Sequence, residues 1–111
     1  MGVDSGLSDF RGKDGFWRAY PAFKEKGIDF QRAANPSWFA SDPELAWAFY
    51  GHRLHTYRET KPHDGFKIIR DWGPLLSASM FAFTSNVDGH WAASGWDKDR
   101  IVECHGSIHH L

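Results

Sequence analysis

The 111-residue sequence predicts an α/β fold, on three observations. Apolar residues recur at helical spacing through the middle of the chain, where Ala46, Tyr50, Leu54 and Tyr57 follow one another at four-, four- and three-residue steps. Two short apolar runs come later, Met80–Thr84 and Arg100–Cys104, the second centred on Ile101 and Val102. A short helix is expected between them, and the order helix, strand, short helix, strand is that of an α/β sheet with parallel strands covered on both faces.

Each element has a local cause. The opening stretch Gly2–Gly15 mixes glycines with charged residues at no sustained period and reads as a mobile loop. Phe16, Trp17, Tyr20 and Phe23 then fall at helical spacing, but Pro21 interrupts them, so short helical turns lead to Lys26 and Gly27. Ser41, Asp42, Pro43 and Glu44 make a capping-box pattern with proline in the first turn, where its missing amide donor costs nothing. The helix they start runs to about Arg58. A second helix is expected from His63 to Leu76 along Phe66, Ile69, Trp72 and Leu76, with Gly73 and Pro74 ending or kinking it.

Composition bounds the function. Thirteen Lys and Arg balance fourteen Asp and Glu, for a net charge of −1, without the basic stripe a nucleic-acid binder needs. No apolar run approaches the ~20 residues of a membrane span, and the first ten residues have neither the basic start nor the apolar stretch of a secretory signal, so a cytoplasmic location is expected. Cys104 is the single cysteine, which excludes an intramolecular disulfide and a two-thiolate zinc site. Six Trp and nine Phe give either a core of large plates or a pocket for a planar ligand. No repeat or linker divides the chain, which reads as one domain or part of one.

The functional signal lies after the strands. Ser85, Asn86 and Asp88 follow the first and His105 and Ser107 the second, where open α/β sheets carry their ligand crevice. His105, followed by Gly106, suits general-base chemistry near neutrality. Cys104 and His105 point to opposite faces as strand neighbours and so do not form a thiol–imidazole pair. His52 with His55, and His105 with His109 and His110, lack a carboxylate or cysteine partner, and no metal site is expected. Asp9, Phe10 and Arg11, between Gly6 and Gly12, bring a guanidinium suited to phosphate or carboxylate into a glycine-bounded loop.

Read together, GVDSGLSDFRGKDGFW, FTSNVDGHW and VECHGSIHHL resemble the sirtuin family of NAD-dependent protein deacylases, in the same order and with suitable spacing. The resemblance runs over essentially the whole chain. It implies a partial Rossmann-like nucleotide-binding fold with parallel strands and an inserted helical segment, NAD as co-substrate and an acyl-lysine protein or peptide as substrate. Gly6, Asp9, Phe10 and Arg11 match the SGxxDFR segment, the flexible loop that closes over NAD. Asn86 and Asp88 match the QNxD segment, which binds the nicotinamide end and positions the ribose, with Ser85 in place of its glutamine. His105 matches the histidine of the HG motif, the base that activates a ribose hydroxyl once the acyl oxygen has attacked the anomeric carbon.

Ser8 stands in place of the usual proline and Gly2 in place of a usual serine. The resemblance further implies that residues 1–111 are an amino-proximal piece of the catalytic domain, without the glycine-rich strand-turn, the zinc module and the carboxy-terminal half. Zinc is therefore expected only in a full-length parent, and the piece is expected to be inactive alone. Ser85 keeps open an NAD glycohydrolase in which water is the acceptor. Open sheet edges keep open a non-catalytic module that associates with another chain.

Overall fold

Asp42 starts the longest helix. Its carboxylate accepts the Leu45 N–H at 3.1 Å, and the chain then runs helically over Pro43–Glu59, here α5. This computed structural model describes residues 1–9, 13–76 and 79–110. The other helices among those residues are α1 (Lys13–Ala19), α2 (Pro21–Glu25), α3 (Phe30–Ala33), α4 (Trp38–Ser41), α6 (Gly65–Trp72) and α7 (His90–Ala93). The strands β1 (Ala82–Thr84) and β2 (Ile101–Glu103) complete the order. The chain divides into two units, Leu7–Thr56 and a second made of residues 1–6 together with those from Tyr57 onward.

The Leu7–Thr56 unit is built on aromatic rings. Pro21 breaks the Phe16–Phe23 periodicity as expected, separating α1 from α2 while Phe16, Tyr20 and Phe23 still turn inward. Phe16 meets Phe23, Phe30 and Phe49 edge-on at 5.9, 6.0 and 6.1 Å between centroids, the offset geometry that ring quadrupoles favour. Arg53 is buried beside them, its guanidinium 5.5 Å from the Phe30 centroid and 5.3 Å from that of Phe49. The aromatic richness of the sequence is thus spent here on a core of plates. Asp29 caps α3 by accepting the Arg32 N–H at 2.9 Å, and this helix and α4 were not expected.

Two local expectations need correction in this unit. Ser41 takes no part in capping α5; its hydroxyl donates to the Ser37 carbonyl at 3.1 Å and closes α4 instead. The inward face of α5 is Ala46, Phe49, Arg53 and Tyr57, with Tyr50 and Leu54 only half-buried. Phe49, wholly buried, sets that rotation because it joins the ring cluster, while Tyr50 reaches sideways to donate to the Ala34 carbonyl at 2.8 Å.

The expected opening loop is partly structured: α1 of the Leu7–Thr56 unit begins already at Lys13, and in the other unit a 3₁₀ turn over Val3–Ser5 is closed by Gly6 at φ +94°. In that other unit α6 runs over Gly65–Trp72, and Gly73–Leu75 tightens into a 3₁₀ turn at the expected glycine and proline. Phe66 is buried against Trp91, which packs edge-on against Trp96 at 4.8 Å. The Trp96 indole N–H donates to the Phe66 carbonyl at 3.0 Å, satisfying its polar edge inside the core.

The two strands pair in parallel, Ala82 opposite Ile101, Phe83 opposite Val102 and Thr84 opposite Glu103. Residues 85–100, including α7, make the crossover that parallel pairing requires. Burial on both faces does not hold: Ala82 is buried, but Phe83 is 70% exposed and Val102 40%. Side chains alternate across a pleated strand, so Ala82 is turned inward while Phe83 is turned out.

Candidate functional site

The parallel ladder sets the carboxyl ends of β1 and β2 side by side, and the polar residues expected there come together. The Cys104 N–H donates to the Thr84 carbonyl at 3.0 Å, extending the pairing by one step. His105 follows, with its Nδ1 3.1 Å from the Ser85 carbonyl oxygen. A carbonyl only accepts, so Nδ1 carries a proton in this pair, and Nε2 is the acceptor of the ring's neutral form. His105, Ser85 and Asn86 are all exposed at this edge, and the side chains of Ser85 and Asn86 make no hydrogen bond among the described residues.

Asp88 is placed differently. It is buried, and its carboxylate accepts the His90 N–H at 3.0 Å, holding the first turn of α7. Its carbonyl accepts from His109 Nε2 at 2.9 Å, while the Val87 carbonyl accepts the Ile108 N–H at 3.0 Å. The Asn86 N–H bonds the Thr84 hydroxyl at 3.0 Å, so the loop leaves β1 in a side-chain-stabilised turn. The structure therefore joins Ser85 to His105 and Asp88 to the tail that follows His105.

Gly6, at its left-handed turn, and Asp9 are both exposed. Gly15 approaches the Asp9 backbone so closely that a Cβ there would collide with the Asp9 carbonyl. Phe10 and Arg11 lie outside the described residues. Of the other histidines, His52 Nδ1 hydrogen-bonds the Tyr20 hydroxyl at 2.7 Å. No three His, Cys, Asp or Glu side chains among the described residues gather as a metal-binding group.

Two features were missed in the sequence. His109 holds the loop through a backbone carbonyl, a contact with no residue-type signature. His90 is only 1% exposed with both ring nitrogens unpartnered, where its sequence position marked it merely as the residue after a turn glycine. A concavity of about 730 Å³ lies against these residues, lined among others by Arg58, Lys61, Lys67, Asp88, His90 and His109.

Comparison with known proteins identifies the family. The Sir2 family model matches residues 1–111. An NAD-dependent protein deacylase of Pyrococcus furiosus is 32% identical over 108 residues, covering 97% of this chain and 39% of that protein. One from Thermus thermophilus is 33% identical over 107 residues, covering 94% and 38%. A solved Sir2 homologue variant in complex with 2′-O-acetyl ADP ribose superposes with a TM-score of 0.73 at 30% identity, covering 96% of this chain and 38% of that one. The chain thus spans about two-fifths of the length of the relatives it matches. With the whole sequence matched and the fold shared, the chain belongs to the Sir2 family.

Proposed function

We propose that this chain carries the nicotinamide-side half of an NAD-dependent protein-lysine deacylase site, with His105 as general base. The observation that carries the reading is the bond of His105 Nδ1 to the Ser85 carbonyl: a carbonyl accepts from Nδ1–H, which makes Nε2 the acceptor of the neutral ring at an exposed strand end. NAD, when bound, supplies the carbon to which the acyl oxygen attaches and releases nicotinamide. The chain's own part is to hold that group and accept a proton. Ser85 and Asn86 are exposed with hydrogen-bonding capacity to spare, and an asparagine amide complements a carboxamide donor for acceptor. Nε2 of His105 takes the hydroxyl proton, and the Nδ1 bond steadies the resulting imidazolium.

Asp88 acts in this reading from behind, fixing the loop through its bond to the His90 N–H and positioning the ribose contact. Gly6 and Asp9, with Phe10 and Arg11, form the closing loop, a role that rests on the motif match. The substrate class is an acyl-lysine in a protein or peptide, as the names of the relatives suggest. A reducing, cytoplasmic setting suits the free, exposed thiol of Cys104. Association with a further chain through the sheet is supported by the exposed Phe83 and Val102.

Calorimetric titration of the chain with NAD tests the reading. Saturable binding that weakens about tenfold in Asn86→Ala, as loss of one polar contact does, and persists in His105→Ala supports it. A folded chain that takes up no NAD overturns it. Nicotinamide release from NAD without any acyl-lysine peptide assigns water as the acceptor and makes the protein a glycohydrolase.

A further inference from the structure

We propose that His109 is a positioning residue that clamps the Asn86–Asp88 loop in its ligand-receiving shape; this rests on reading that loop as part of the nucleotide site. Three carbonyls of the loop are held by three residues of the tail. Ser85 accepts from His105 at 3.1 Å, Val87 from the Ile108 N–H at 3.0 Å and Asp88 from His109 Nε2 at 2.9 Å. Only the last of the three is a side-chain bond that a single substitution removes without touching the proposed base.

The ring is placed rather than merely nearby. Gly106, at φ +77°, turns the chain after His105, and the Ser107 hydroxyl then accepts the His109 N–H at 3.3 Å. The imidazole lies flush over Gly89: a Cβ at that glycine would stand 2.9 and 3.0 Å from its Cδ2 and Nε2. Since the Asp88 carbonyl only accepts, Nε2 carries the proton. Asp88 is consequently pinned at both ends, its carbonyl by His109 and its carboxylate by the His90 N–H. With its carbonyls drawn to the tail, the loop turns Ser85 and Asn86 outward, where both are exposed.

The test compares wild type, His109→Leu and His109→Gln, the glutamine amide restoring a donor of similar reach. Amide hydrogen exchange by NMR reads the clamp, and titration with NAD reads its consequence. The expectation for His109→Leu is exchange about tenfold faster at Ile108 and His90, an unchanged Cys104 amide, and NAD affinity about tenfold lower, the size of one polar contact. His109→Gln is expected to recover most of both, which bulk packing alone does not explain. Unchanged exchange at Ile108 and His90 in His109→Leu overturns the proposal, as does faster exchange with unaltered affinity. Should His109→Leu also expose the Cys104 amide and so be unfolded, His109→Gln decides, wild-type affinity supporting the clamp and lost affinity overturning it. A wild-type chain that ignores NAD overturns the nucleotide reading, and the exchange data alone then judge the clamp.

Discussion

Phe83 of β1 and Val102 of β2 stand abreast in the parallel ladder, and both are exposed to solvent. Phe81, just ahead of β1, is 52% exposed as well. A two-stranded sheet with an uncovered apolar face invites association. Phe83→Thr is therefore expected to lower self-association in sedimentation and light scattering, since threonine keeps the strand preference and removes the ring. Its effect on the unfolding free energy from urea titration is expected to stay within about 0.5 kcal/mol, as for other exposed substitutions.

His90 is a buried polar side chain with no partner for either ring nitrogen. Its backbone N–H bond to Asp88 does not depend on the side chain. Leucine has a similar volume and nothing to desolvate, so His90→Leu is expected to stabilise the chain by about 1 kcal/mol. Thermal unfolding followed by circular dichroism should then show a midpoint higher by several degrees, ~4–8 °C for a domain of this size.

Asp42 supplies the side-chain cap of α5 through the Leu45 N–H. Removing it in Asp42→Ala is expected to cost about 1 kcal/mol, while Asp42→Asn keeps the acceptor and most of the stability. Urea titrations of the two variants separate capping from charge.

Phe49 is wholly buried where the rings of Phe16, Tyr20, Phe23 and Phe30 converge. Phe49→Ala opens a cavity that flanking aromatic plates cannot close by rotamer changes, and a loss of ~3–5 kcal/mol is expected. Loss of the near-ultraviolet aromatic signal from the Leu7–Thr56 unit is the direct readout. An unchanged signal contradicts the central place of this ring.

Much of this organisation was legible in the sequence because its causes are local. Pro21 parts α1 from α2, Asp42 and Pro43 open α5, and Gly73 and Pro74 close α6, each through a backbone effect of the residue itself. The strands were legible as apolar runs, and the clustering of Ser85 with His105 followed from parallel strand ends. What escaped depends on partners distant in sequence. Whether Phe49 or Tyr50 faces inward is decided by Phe16 and Phe30, and the exposure of Phe83 by what lies across the sheet. Asp88 was legible as a polar residue beyond β1, but not the bond by which one of its carboxylate oxygens accepts the amide two residues on.

The contacts that assemble the ladder end join Ser85 with His105 at a separation of 20 and Asp88 with His109 at 21. Closing a loop of that size costs little entropy beyond that of a shorter one, because the penalty grows only logarithmically. The constellation is thus written in one uninterrupted stretch, with each recurrent position a fixed number of residues from the next. An insertion anywhere between Ser85 and His105 that shifts the crossover therefore rewrites the whole constellation at once, whereas the same insertion ahead of β1 leaves it intact.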